Sequence, residues 1–210
     1  MGGMYMESIL NREYISIEIV SDLWNFFKEK TNLAKDLTID VYQEEDEHFG
    51  VEYFLNECGN YEFDCLILPY YCYLYEEEEM DIRTVLKAKY NFDMFTHIKG
   101  LTYGINDIVF SIFHEFGHLH QYFTTMSEEF HDLTYEYQYG LAQLSKMKDK
   151  IENEIQLQYY YRDLAQEKYA DTIAIGLIKK YEKELYELLK KYNVGYEDEM
   201  IYPCGNYFEI

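Results

Sequence analysis

The chain has 210 residues, of which 48% are hydrophobic, enough to bury the core of one domain and to exclude a disordered acidic protein. Its 40 acidic and 18 basic residues give a net charge of -22, which disfavours nucleic acid as a partner because phosphate binding depends on Lys and Arg. No apolar run approaches the roughly 20 residues of a membrane span, and the first residues match neither a secretory signal nor a myristoylation pattern. We therefore expect a cytoplasmic protein without a membrane partner.

The first hundred residues predict a helix followed by a small sheet. Apolar residues recur at helical spacing from about Arg12 to Thr31. Strand-like runs come next, at Leu37–Tyr42, Phe49–Leu55 and Tyr61–Leu68. A short helix is predicted over Asp81–Tyr90, and a glycine-containing lead-in over Lys99–Asn106. This part of the chain is thus predicted to carry the sheet of an α+β fold.

A buried helix is predicted from Asn106 to Thr125, with Asn106 as its N-cap, because apolar residues recur there at helical spacing. Its polar residues are separated by three or four positions, so they form a single stripe along the helix: Asp107, Ser111, His114, His118, Gln121 and Thr125. Both histidines of the segment that carries the chemistry lie on this stripe.

That segment, His114-Glu115-Phe116-Gly117-His118, is an HExxH motif. Two histidines four residues apart lie on one helix face and can bind one metal ion, with Glu115 beside them as a general base. Zinc in such a site lowers the pKa of a water molecule and stabilises the developing oxyanion, which predicts hydrolysis. The alternative is a pair of ordinary core histidines that are satisfied by hydrogen bonds.

Catalytic zinc normally has three protein ligands, so a further ligand is required. The metzincin pattern is excluded, because it needs Gly and His where the chain has Gln121 and Thr124. A second helix is predicted over Leu164–Ala174, and on it Glu167 and Asp171 share a face with two alanines that would permit close packing. The alternative is that this face is simply acidic and solvated. Among the other histidines, His131 and His97 are reserve ligands, His120 points away, and His48 is expected at the surface.

With this pair of helices the chain resembles the gluzincins, zinc peptidases with an HExxH motif whose third ligand is a glutamate in an ExxxD helix. The run Phe110–Tyr122 followed by Glu167-x-x-Ala170-Asp171 is most similar to the ImmA/IrrE family of intracellular metallopeptidases. The resemblance implies that Glu167 is the third zinc ligand and that Asp171 accepts a ring N–H, more specifically that of His114. It also implies a zincin-like fold and cleavage or control of a DNA-binding repressor, a partner expected to be basic.

The last eighty residues predict mainly helices. Segments are expected at about Leu133–Ile151 and Glu154–Tyr192, followed by an irregular tail. The residue that assists at the oxyanion cannot be chosen by pattern alone. Four consecutive residues are candidates because they precede the Glu167 helix: Tyr159, Tyr160, Tyr161 and Arg162.

The sequence therefore predicts a single α+β metallopeptidase domain over residues 1–210, with a sheet-containing lobe at 1–100 and a helical zinc-binding lobe at 101–210. Its expected substrate is a specific basic regulatory protein, towards which an acidic surface would steer encounter. Two alternatives stay open. A regulatory zinc module that does not cleave its partner would have no need of Glu115. An acidic mimic of nucleic acid would need carboxylates in paired rows, whereas Glu44–Glu47 and Glu76–Glu79 are clustered.

Overall fold

The computed structural model describes residues 12–44, 48–73, 77–148, 150–151, 153–193 and 206–210. These residues form six helices, a four-stranded sheet and a two-stranded sheet, which confirms the α+β class. Residues 45–47 and 76 of the two acidic runs lie outside the described part. In chain order the elements are β1 (Arg12–Tyr14), α1 (Ile17–Thr31), β2 (Asp40–Glu44), β3 (Gly50–Leu55), β4 (Tyr61–Pro69), β5 (Tyr71–Tyr73), α2 (Glu77–Tyr90), α3 (Tyr103–Thr124), α4 (Ser127–Lys148), α5 (Glu154–Tyr161), α6 (Ala165–Leu189) and β6 (Asn206–Glu209).

The larger sheet has the strand order β3, β4, β2, β6. Strands β2 and β4 are parallel, and the outer strands β3 and β6 are antiparallel to their neighbours. The predicted small sheet is therefore present. The prediction of an irregular C-terminal tail is wrong for the last residues of the chain. Residues 206–209 form β6 and pair with β2, so one strand comes from the part of the chain assigned above to the helical lobe.

The first helix begins at Ile17, later than the predicted start at Arg12. Ser16 has an extended backbone, and its hydroxyl accepts a hydrogen bond from the Ile19 amide, which fixes the helix start there. Upstream, β1 pairs with β5 and is thereby held in a strand. The apolar face of α1 packs on α3, where Trp24 and Phe27 lie 4.9 and 5.3 Å, centroid to centroid, from the Phe116 ring. The HExxH helix is thus fixed from the side opposite its histidines.

Helix α3 is buried along almost its whole length. Its N-cap is Thr102, whose hydroxyl accepts from the Ile105 amide, so the prediction of Asn106 as N-cap was wrong. Asn106 lies inside the helix, and its side chain ties the preceding loop to α3 through the Ile98 amide at 2.7 Å. Of the helices that the structure describes, none combines the length and the apolar character needed to cross a membrane.

The predicted long C-terminal helix is broken in two. Helix α5 ends at Tyr161 and α6 begins at Ala165, and the turn between them directs Arg162 into the interior. Helix α2 holds this turn, because the Lys89 ammonium donates to the Tyr159 carbonyl and to Asp163 at 3.0 and 2.8 Å. Sequence periodicity missed the break because both segments are helical and apolar side chains occur on either side of it.

Candidate metal centre

Three side chains predicted as ligands converge between α3 and α6. His114 Nε2 lies 3.1 Å from Glu167 Oε2 and 3.3 Å from His118 Nε2. His118 Nε2 lies 3.5 Å from Glu167 Oε1. The two histidines come from successive turns of α3, and Glu167 comes from the first turn of α6. Since each residue can offer one ligand atom, the group could bind a metal ion.

The spacing of these atoms fits zinc. Ligand atoms held at about 2.0–2.1 Å in tetrahedral geometry lie roughly 3.4 Å apart, close to the three contacts above, in which His114 meets one oxygen of Glu167 and His118 meets the other. Two imidazoles and one carboxylate are also a donor set typical of catalytic zinc, which keeps its fourth position for water or substrate. His114 and Glu167 are buried, so the donors are held in place by the surrounding protein.

Asp171 contacts the opposite nitrogen of His114. Its Oδ1 atom lies 3.0 Å from His114 Nδ1 and accepts a second hydrogen bond from the Arg162 guanidinium at 2.8 Å. Because an ionised carboxylate can only accept, His114 Nδ1 carries the hydrogen of its contact with Asp171. This hydrogen bond orients the ring so that its Nε2 atom faces Glu167 and His118. The expected contact between Asp171 and His114 is therefore present.

Without a metal ion, His114 carries an additional proton. Burial and the Arg162 charge lower the pKa of His114, but the carboxylates of Asp171 and Glu167 outweigh both and raise it to about 9. Burial instead lowers the pKa of His118 to about 4. Burial raises the pKa of the Glu167 carboxyl, but the hydrogen bond and charge of His114 hold it well below its usual range. In the metal-free protein the group is thus a buried ion-pair network, with one proton at His114 Nε2 where a metal would bind.

Glu115 lies next to this group but is not part of it. Glu115 is only 8% exposed, and it borders two clefts that reach the centre and are described below. Burial is the largest cause that raises the pKa of Glu115, to about 7. A carboxyl group with a pKa near neutrality can both accept and return a proton, as a general base requires.

Two hydroxyl groups lie close to Glu167. Tyr137, from α4, donates to Glu167 Oε1 at 2.9 Å, and its oxygen lies 3.2 Å from the Tyr161 hydroxyl. Burial, followed by the charge of Glu167, raises the pKa of both tyrosines above the usual range, so both hydroxyls stay protonated. Sequence analysis missed Tyr137, because nothing in the pattern distinguishes it among 25 tyrosines.

The structure distinguishes among the four residues that were candidates for stabilising the oxyanion. Tyr161 and Arg162 line the centre, whereas Tyr159 and Tyr160 are exposed, at 42% and 39%. Arg162 is buried, and its Nη1 atom lies 3.2 Å from His114 Nδ1. The last residue of α5 and the first residue after it are thus the members of this set that reach the site.

The remaining histidines are not placed as ligands. His97 stacks on the Phe92 ring, and His120 Nδ1 lies 2.8 Å from the Tyr169 hydroxyl. His131 is exposed, as is His48, although His48 also borders one of the clefts. Of the residues named as possible third ligands, Glu167 is grouped with the HExxH histidines, whereas His131 and His97 are not.

Two clefts meet at the metal centre. The first has a volume of about 570 Å³ and a largely apolar wall: Ile82, Met94, Phe110, Leu141, Leu144 and Leu157. The second, of about 600 Å³, runs between β3 and α4 and is more polar: Glu52, Tyr61, Asp64, Thr134, Gln138 and Gln166. Both clefts are bordered by His114, Glu115, Tyr161 and Glu167. The candidate ligand group therefore lies between a largely apolar cleft and a more polar one.

Comparison with family models, with curated proteins and with solved structures found no match to this chain. An assignment of function therefore depends on the chemistry of the side chains at this centre.

Proposed function

We propose that the chain is a cytoplasmic zinc metallopeptidase of the gluzincin type, similar to the ImmA/IrrE family, that cleaves a specific basic regulatory protein. The observation that carries this proposal is the convergence of His114, His118 and Glu167 beside Glu115, where two clefts meet. A purely structural zinc site would have four closed ligands, whereas these three donors leave one coordination position for chemistry.

When bound, zinc would supply a Lewis acid that lowers the pKa of water and polarises a peptide carbonyl. Glu115, which borders both clefts, would take a proton from a water molecule in this space and return it to the leaving amine. The guanidinium of Arg162 borders the same space and offers a hydrogen bond to the carbonyl oxygen as charge develops on it, whereas the single hydroxyl hydrogen of Tyr161 is given to Tyr137. Each catalytic task thus has a side chain within the described centre.

The walls of the second cleft support a basic substrate. Glu52 and Asp64 border it together with Glu115 and Glu167, and its described lining contains no lysine or arginine. A net charge of -22 adds a long-range attraction for a positively charged partner. A basic segment entering this cleft would therefore be held by carboxylates next to the metal centre.

The test compares the native chain with Glu115→Gln, because the amide is nearly isosteric but cannot accept a proton. Both proteins are loaded with zinc and incubated with basic proteins and with a library of peptides rich in Lys and Arg. Cleavage by the native chain, with binding but no cleavage by Glu115→Gln, is the expected result, and the loss should appear in kcat.

Equal zinc content and equal thermal unfolding of the two proteins control for folding. Zinc binding without cleavage of any substrate by the native chain would contradict the peptidase proposal and would favour a regulatory zinc module. Tight binding of basic proteins by a chain that takes up no zinc would favour the acidic mimic instead.

A further inference from the structure

The two oxygens of Glu167 have different partners. Oε2 faces His114 Nε2 at 3.1 Å, while Oε1 accepts a hydrogen bond from Tyr137 at 2.9 Å and lies 3.5 Å from His118 Nε2. Tyr137 belongs to α4, which contributes neither histidine nor carboxylate to the ligand group. Three helices thus determine the position of one carboxylate.

The Glu167 carboxylate fixes the direction of its contact with Tyr137 and of the contact between Tyr137 and Tyr161. A carboxylate has no hydrogen to give, so the single hydroxyl hydrogen of Tyr137 is donated to Glu167. The Tyr137 oxygen then remains free to accept, and the Tyr161 hydroxyl lies 3.2 Å from it. The hydrogen bonds therefore run in one direction, from Tyr161 to Tyr137 and on to Glu167.

The hydrogen bond from Tyr137 affects how many of its two oxygens Glu167 can give to a metal ion. A carboxylate without other partners can bind an ion through both oxygens and so occupy two coordination positions. A hydrogen bond to a ligating carboxylate orients it and is a common device around protein metal sites. Oε1 also lies 3.5 Å from His118 Nε2, but the hydrogen bond from Tyr137 occupies one of its lone pairs and weakens its hold on an ion, so we take Oε2 as the ligand oxygen.

We propose that Tyr137, supported by Tyr161, is a positioning residue that holds Glu167 in single-oxygen ligation and so keeps the fourth coordination position open. This inference rests on the metal centre of the proposed function. It also links the wall of the second cleft to the metal, because Tyr137 borders that cleft and contacts a ligand. A substrate that displaces the Tyr137 ring would change how Glu167 binds.

The test uses cobalt as a spectroscopic replacement for zinc, since the visible absorption of Co²⁺ is stronger in four-coordinate than in five-coordinate sites. Tyr137→Phe removes the hydroxyl and frees Oε1. We expect its Co²⁺ protein to show weaker, shifted visible bands, and its zinc affinity, measured against a competing chelator, to fall about 10-fold. Tyr161→Phe should change both readouts in the same direction but less.

Because Tyr161 acts through Tyr137, the double variant should be no worse than Tyr137→Phe alone. The matched control is Tyr139→Phe on the same helix, where the residue is 61% exposed and no change is expected. A native-like cobalt spectrum with native zinc affinity in Tyr137→Phe would overturn the proposal and leave the metallopeptidase proposal intact. A native chain that binds neither cobalt nor zinc would overturn both, whereas metal binding without peptide cleavage would overturn only the proposed function.

Discussion

Gly117 on α3 and Ala170 on α6 lie so close that a β-carbon added to Gly117 would come within 2.7 Å of the Ala170 Cα atom. The obstacle is backbone, so an added methyl group could be accommodated only if α6 moved away from α3. Glu167 is one turn from Ala170 and would move with it. The separation of these two helices therefore determines the distance between the HExxH histidines and their carboxylate partner.

Gly117→Ala is accordingly expected to weaken zinc binding by at least 10-fold and to lower stability, since overpacking costs about 1–3 kcal/mol. Chelator competition and thermal unfolding are the measurements. Gly176→Ala on α6 is the control, because a β-carbon there meets no atom within 4 Å. That control should leave zinc affinity unchanged and gain up to about 1 kcal/mol from helix propensity. Native zinc affinity in Gly117→Ala would show that α6 can shift without consequence.

The close packing of α3 and α6 was partly predictable from sequence. His114 and His118 share a helix face because their spacing is a local property of α3, and the same holds for Glu167, Ala170 and Asp171 on α6. The alanines Ala170 and Ala174 permitted close packing, but that Glu167 would meet the histidines was implied by the resemblance, since no local rule specifies which helices pack together.

Other parts of the site depend on tertiary contacts and escaped prediction. Asparagine is common at N-caps, but the side-chain amide of Asn106 is instead hydrogen-bonded to the Ile98 backbone in the loop before α3. Arg162 caps the end of α5, and its buried guanidinium donates to Asp171, which lies nine residues further along the chain. Tyr137 contacts Glu167 across 30 residues of sequence. Periodicity carries no information about such partners.

The purified protein should contain about one zinc ion per chain, and His114→Ala or Glu167→Ala should remove most of it, because three ligands are needed for tight catalytic zinc. Elemental analysis after gel filtration gives the stoichiometry. His120→Ala is the matched control on α3, as that ring contacts Tyr169 and not the ligand group. Full zinc content in Glu167→Ala would move the third ligand to another residue.

Asp171→Asn is expected to weaken zinc affinity by about 10–100-fold without abolishing binding, which is the usual effect of removing a carboxylate that orients a ligating histidine. The amide keeps the size of the side chain but loses the charge that His114 and Arg162 share. Titration with a fluorescent chelator measures the change. An affinity equal to that of the native chain would mean that Asp171 does not determine the orientation of His114.

Zinc binding near pH 8 should release about one proton, because a metal ligand must lose its hydrogen before it binds. The pKa of His114 is raised to about 9, so its imidazole is mostly protonated there, while His118, with a pKa of about 4, is already neutral. The apparent affinity should therefore rise with pH, by up to about tenfold per unit, and level off above about pH 9.

Calorimetry in two buffers of different ionisation enthalpy counts the released protons. The measurement is made above about pH 7.5, where Glu115, whose pKa is raised to about 7, is already mostly ionised and adds few protons to the count. Asp171→Asn should release fewer protons, since that carboxylate helps to raise the pKa of His114. Zinc binding with no proton release at pH 8 would show that His114 is neutral in the metal-free protein.

Reversal of charge in the second cleft should weaken the use of basic substrates. Glu52→Lys combined with Asp64→Lys places two cations in the second cleft and leaves His114, His118 and Glu167 unaltered. We expect KM for a Lys- and Arg-rich peptide to rise by about 10-fold or more, with kcat little changed, and the effect to shrink as salt screens the charges. The control is Glu57→Lys with Glu128→Lys, which makes the same change in net charge at exposed positions outside both clefts. If both double variants raise KM equally, overall charge attracts the substrate and the cleft has no special role. If neither does, recognition of the substrate depends on contacts other than the acidic wall.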